Sequence, residues 1–142
     1  MIEINNLAGL AVDKKFFTGV AKKVLKGENK EKKNLSVVFV PTGEIRKLNK
    51  KYRKKNKATD VLSFGGVSSF KLQVLKDDLG EVIICPAFVK ENAKKYKTSI
   101  KEELTKVLTH GILHLLEYNH EKTKKEAEIM EKKEEHYLSS VI

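Results

Sequence analysis

Three of the chain's four histidines lie close together, in the stretch "HGILHLLEYNH" that begins at His110 and ends at His120. His114 follows His110 by four residues, so on a helix the two imidazoles project from adjacent turns of the same face. A tight turn after the helix can bring His120 back to the same point. Three imidazoles that leave one position open are typical of catalytic zinc sites, whereas structural zinc usually takes four ligands rich in cysteine. The spacing predicts an open metal site with one zinc ion per chain.

The same histidine spacing occurs in the metzincin peptidases, where a glutamate after the first histidine is the general base. Here that position is Gly111. Because glycine cannot accept a proton from water, the peptidase hypothesis loses its central chemical group, while the metal hypothesis loses nothing. The competing interpretation is that the histidines are ordinary side chains, which a lone helical histidine would favour.

A second stretch, "KKYRKKNKATDVLSF" at residues 50–64, concentrates positive charge before a predicted strand. Arg53 and Arg46 are the chain's two arginines among many lysines. A guanidinium holds phosphate through paired, directed hydrogen bonds that an ammonium cannot reproduce, so Arg53 is a candidate phosphate ligand. The alternative is a solvated helix end whose cations complement the helix dipole. Asp60 is expected to have a structural role in the turn before the strand.

Composition limits the classes of function. A formal net charge of +10 favours a polyanionic partner, with nucleic acid ahead of an acidic membrane surface. No run approaches the roughly 18 apolar residues of a membrane span, and the amino terminus lacks the pattern of a signal peptide, so a cytoplasmic location is expected. The single cysteine, Cys85, excludes an intramolecular disulfide and is expected to be buried and inert. A length of 142 residues fits one domain.

Strands and helices alternate along the chain until the carboxyl-terminal third, which is helical. Asp13 is the predicted cap of the first helix, and capping boxes at Ser99 and Thr123 begin the last two helices. The predicted strands are 2–4, 35–40, 61–64 and 81–85, and the predicted helices are 13–27 and those starting near 42, 86, 99 and 123. A break near residues 117–122 places His120 on the turn after the histidine helix, and residues 65–79 are assigned to no element.

Together the two stretches resemble the YbeY family of metal-dependent endoribonucleases. The family's metal motif, H-G-x-L-H-L-x-G-Y-D-H, is matched in register by His110, Gly111, Leu113, His114, Leu115, Tyr118 and His120. The segment "LNKKYRKKNKATDVLSF" from Leu48 is similar to the family's "LN-x-x-YR-x-K-x-x-x-TDVLSF", and "LGEVIIC" from Leu79 is similar to the strand that follows. The similarity covers about residues 35 to 122. Glu117 and Asn119 depart from the motif, which has glycine and aspartate there.

The resemblance implies an α+β fold in which helices cover a small mixed β-sheet, with a zincin-like metal helix and turn, in a single domain over residues 1–142. It implies a single-strand-specific endoribonuclease that matures the 3′ end of 16S ribosomal RNA and acts in late-stage (70S) ribosome quality control. Ribosomal RNA and ribosomal subunits would be its partners. His110, His114 and His120 would bind zinc as a Lewis acid or water activator, and Arg53 would hold the scissile phosphate.

Two other classes of function stay open at this point. One is a zinc-dependent hydrolase of a different bond, including a peptidase that takes its base from elsewhere in the chain. The other is a non-catalytic, RNA-binding ribosome assembly factor in which zinc has a structural role. The sequence also leaves open the general base, the nucleophile and the oligomeric state.

Overall fold

The computed structural model describes residues 1–65, 77–116 and 123–141. Within these ranges, four strands form one sheet and five helices pack around it. The strands are β1 (Ile2–Asn6), β2 (Asn34–Phe39), β3 (Val61–Gly65) and β4 (Asp78–Ile84). The helices are α1 (Lys14–Gly27), α2 (Thr42–Arg53), α3 (Pro86–Tyr96), α4 (Ile100–Leu115) and α5 (Lys124–Val141).

The sheet is mixed and has the order β1-β2-β4-β3. β1 and β4 both run parallel to β2, whereas β3 pairs antiparallel with β4. The central strands β2 and β4 are buried over residues 35–39 and 81–84 because helices cover both of their faces. This arrangement confirms the predicted α+β fold with a small mixed sheet.

The two faces of the sheet carry separate hydrophobic clusters. The larger one joins the sheet to α1, α4 and α5, and its members include Phe17, Val37, Val82, Leu108 and Met130. The smaller one lies on the opposite face, where α2 and the start of α3 cover it, and its members include Val38, Ile45, Leu48, Leu62 and Ile83. The alternation of side chains along β3 and β4 therefore assigns α4 and α2 to opposite faces of the sheet.

Side-chain caps are present at the start of three helices, at the residues that the sequence predicted. The side chain of Asp13 accepts a hydrogen bond from the Phe16 backbone N–H at 3.0 Å. Ser99 and Thr123 accept equivalent bonds in α4 and α5, also at 3.0 Å. Each bond satisfies a backbone donor that the first helical turn leaves unpaired.

Cys85 is fully buried at the end of β4, as expected, with its Sγ 3.7 Å from the Thr42 hydroxyl oxygen. Among the described residues, no helix combines the length and the apolar character needed to cross a membrane. The predicted break at 117–122, with His120, and most of the unassigned segment 65–79 lie outside the described residues.

Candidate functional site

His110 and His114 lie side by side on α4, as their four-residue spacing predicted. The distance between His110 Nε2 and His114 Nε2 is 3.0 Å, and the two rings meet edge to face at 73°. Both residues are only partly buried. Two nitrogen lone pairs cannot face each other at this distance without a proton or a cation between them. The pair therefore shares either a proton or a cation at this point of the helix.

A carboxylate from α5 contacts the opposite nitrogen of the first imidazole. His110 Nδ1 lies 2.5 Å from Glu134 Oε1, so its N–H donates to the carboxylate. With the proton held on Nδ1, the neutral ring has its lone pair on Nε2, the nitrogen that faces His114. The sequence motifs do not include Glu134. Its spacing of four residues from Met130 and three from Tyr137, both buried, is the signal that could have found it.

The histidine pair fits zinc in its donor type and separation. Tetrahedral coordination with Zn–N bonds of about 2.0–2.1 Å puts two ligand nitrogens about 3.3 Å apart. The pair observed at 3.0 Å would need only a small opening. Within residues 1–65, 77–116 and 123–141, no group of three His, Cys, Asp or Glu side chains is placed to hold a metal ion. The predicted third ligand, His120, is outside these ranges.

Gly111 lets α4 approach the sheet closely beside the histidine pair. A Cβ atom at this position would lie 2.7 Å from Val82 Cγ1, 3.2 Å from Ser63 Oγ and 3.3 Å from Val61 Cγ2. The Ser63 hydroxyl also donates to the Gly111 carbonyl at 3.0 Å. A side chain at 111 would start directly against the sheet. A glutamate at this position would therefore require the neighbouring side chains of the sheet to shift.

Arg53 lies at the end of α2 and is exposed. It forms no ion pair with any residue that the structure describes, and no direct contact joins it to the histidine pair. The edge strand β3 runs between the two. The ring of Tyr52 packs edge to face on Phe64 at 5.2 Å between centroids. Gly65, the next residue of β3, faces α4: a Cβ atom added to it would lie 3.6 Å from Leu115 Cδ2. Tyr52, next to Arg53, and Leu115, next to His114, thus both lie against the carboxyl-terminal end of β3.

Two further polar residues have other surroundings. The Asp60 backbone carbonyl accepts a hydrogen bond from the Cys85 N–H at 2.9 Å, and its carboxylate accepts one from the Thr59 hydroxyl at 3.2 Å. These contacts agree with the structural role expected of it. His136 is exposed on α5, where its ring lies beside Tyr137.

The described residues thus form an α+β fold in which a pair of histidines on α4 lies next to the edge strand β3. The family model of Endoribonuclease YbeY matches residues 3–142. A protein of Thermodesulfovibrio yellowstonii named Endoribonuclease YbeY is 44% identical over 107 residues, which cover 75% of this chain and 66% of that protein. One of the same name from a Sulfurihydrogenibium species is 36% identical and covers 84% of this chain and 77% of that protein.

A solved structure also matches the fold. The solution structure of TM1509 from Thermotoga maritima superposes with a TM-score of 0.69 and 30% sequence identity, covering 99% of this chain and 89% of that one. The chain belongs to the YbeY family of endoribonucleases, as its two motifs indicated.

Proposed function

We propose that the chain is a single-strand-specific, metal-dependent endoribonuclease. The observation that carries the proposal is the pair of nitrogens, His110 Nε2 and His114 Nε2, held 3.0 Å apart on α4 in a chain of this family. The relatives' shared name, Endoribonuclease YbeY, supports RNA as the substrate. The formal net charge of +10 agrees with a polyanionic substrate.

The proposed metal ligands are His110, His114 and His120, with one zinc ion per chain. When bound, zinc would supply Lewis-acid chemistry and activation of water. The chain's own contribution is to hold the imidazoles in place. Packing of Gly111 against Val82 holds the α4 backbone at the sheet, and the Nδ1–H of His110 bonds to a carboxylate.

Arg53 is the proposed residue that holds the scissile phosphate. Its exposed position beside the edge strand leaves the guanidinium accessible to a bound RNA strand. The neighbouring side chains of Lys50, Lys51, Lys54 and Lys55 are also exposed. They would contact backbone phosphates without regard to sequence, so the affinity for RNA would fall as the salt concentration rises.

The finer biological role follows the family resemblance. We propose that residues 1–142 form one domain that acts in the cytoplasm on ribosomal RNA and ribosomal subunits. The proposed tasks are maturation of the 3′ end of 16S ribosomal RNA and late-stage (70S) ribosome quality control.

An RNA cleavage assay on the zinc-loaded protein tests the proposal. The parent should cleave single-stranded RNA but spare a duplex of the same sequence, and His110→Ala should be inactive. Arg53→Ala should retain zinc but lose about 100-fold or more in cleavage rate, because one preorganised donor to a developing charge contributes about that much. Arg46→Ala is the matched control, since Arg46 is also exposed on α2 and donates to the Asn56 side chain at 2.9 Å.

Three results would count against parts of the proposal. Cleavage by Arg53→Ala at the parent rate would remove Arg53 from the site. Cleavage of casein but not RNA would favour the peptidase, whose base would have to come from elsewhere in the chain because position 111 is a glycine. Bound zinc without any hydrolysis would favour the assembly factor.

A further inference from the structure

We propose that Glu134 is a positioning residue that orients His110 and selects its tautomer, so that α5 is part of the metal site. The inference rests on the proposed role of His110 as a metal ligand. It adds to the proposed site a residue 24 positions away from His110 along the chain. Glu134 would act through the imidazole and would not contact metal or RNA.

The contact is direct and partly shielded from water. The His110 Nδ1–H donates to Glu134 Oε1 at 2.5 Å, and both side chains are about one third exposed, at 31% and 30%. Hydrogen bonds to an ionised acceptor are shorter and roughly twice as strong as neutral ones. Such a bond to one ring nitrogen leaves the lone pair on the other and makes it more basic, which strengthens metal binding.

Contacts between α5 and α1 hold Glu134 in register with His110. Glu28, just after α1, has a side chain only 6% exposed and accepts hydrogen bonds from Tyr137 and from Lys133, the latter at 3.0 Å to both carboxylate oxygens. Met130 is buried one turn before Glu134 on the same face of α5. Since these groups flank Glu134 along the helix, α5 cannot slide or turn without breaking them.

Two substitutions and one control test the inference. Glu134→Ala removes the acceptor, whereas Glu134→Gln keeps an acceptor oxygen but removes the charge. Glu135→Ala is the control, because Glu135 is the exposed next residue of the same helix and carries the same charge. The first readout is the zinc dissociation constant, measured by competition with a chromophoric chelator. The second is ¹⁵N NMR of the histidine rings in the metal-free protein, which reports which ring nitrogen carries the proton.

We expect Glu134→Ala to bind zinc about 10- to 100-fold more weakly, with Glu134→Gln between it and the parent and Glu135→Ala unchanged. In the metal-free parent, His110 should be the Nδ1–H tautomer, and Glu134→Ala should lose that preference. Unchanged zinc affinity and an unchanged tautomer in Glu134→Ala would overturn the inference. So would a lower thermal unfolding midpoint with the tautomer preserved, because Glu134 would then only dock α5. If the parent binds no zinc, the proposed function fails, and the tautomer comparison still decides the role of Glu134.

Discussion

Substituting Gly111 by alanine tests whether close packing of α4 on the sheet supports the histidine pair. In a helix, alanine is about 1 kcal/mol more favourable than glycine. At this position, however, the new Cβ would lie 2.7 Å from Val82 Cγ1, with Ser63 Oγ at 3.2 Å. Overpacking of this kind costs typically about 1–3 kcal/mol. Gly111→Ala should therefore lower the free energy of unfolding by about 0–2 kcal/mol, the difference between the two effects.

Gly19→Ala is the matched control, because Gly19 is exposed in the middle of α1 and a Cβ there would meet nothing within 4 Å. It should gain the full helix preference of about 1 kcal/mol. The two variants should then differ by about 1–3 kcal/mol, which corresponds to roughly 3–12 °C in thermal midpoint for a chain of this size. Denaturant and thermal unfolding of the metal-free proteins measure the difference, and zinc titration measures the effect on the site.

Comparison of Gly111→Ala with Gly19→Ala tests how closely α4 packs on the sheet. If Gly111→Ala stabilises the protein as much as Gly19→Ala does, α4 does not lie as close to Val82 as the structure has it. Weaker zinc binding by Gly111→Ala alone would show that the spacing between α4 and the sheet sets the position of the imidazoles.

Three further predictions concern other contacts. Tyr137→Phe should cost about 1.5–3 kcal/mol of unfolding free energy, because it removes a hydrogen bond to the buried Glu28 carboxylate; equal loss in Tyr96→Phe, where the ring is largely exposed, would contradict this. Asp13→Ala should cost about 1 kcal/mol through loss of the α1 cap, and an unchanged denaturation midpoint would show that the cap contributes nothing. Arg53→Ala should have a weaker salt dependence of RNA binding than the parent, and filter binding at two ionic strengths giving the parent's slope would refute a phosphate contact.

Much of the fold was predictable because its signals are local. Asp13, Ser99 and Thr123 were recognised as helix caps from side-chain type and position, since a cap contacts backbone only two or three residues further on. The strands were recognisable as apolar runs bounded by turn residues. The pairing of His110 with His114 was predictable for the same reason, because helical geometry alone brings side chains four residues apart together.

The arrangement of the sheet was not predictable in this way. Nothing within β3 itself specifies that it is the edge strand or that it runs antiparallel to β4. The tight fit at Gly111 also depends on Val82 and Ser63, which are far from it in the chain. The glycine at 111 is read from the sequence, whereas only the packed sheet shows what a side chain there would contact.

The amino-acid sequence alone thus established the helix caps, the alternating elements, the histidine spacing and the family resemblance. These properties arise from interactions within a few residues or from motifs read along the chain. Only the tertiary structure brought Glu134 to His110, because that contact exists only when α5 docks against α1 and α4. Docking depends on side chains such as Glu28 and Tyr137, more than 100 positions apart, and no local pattern specifies which carboxylate of a helix rich in glutamate will reach the imidazole.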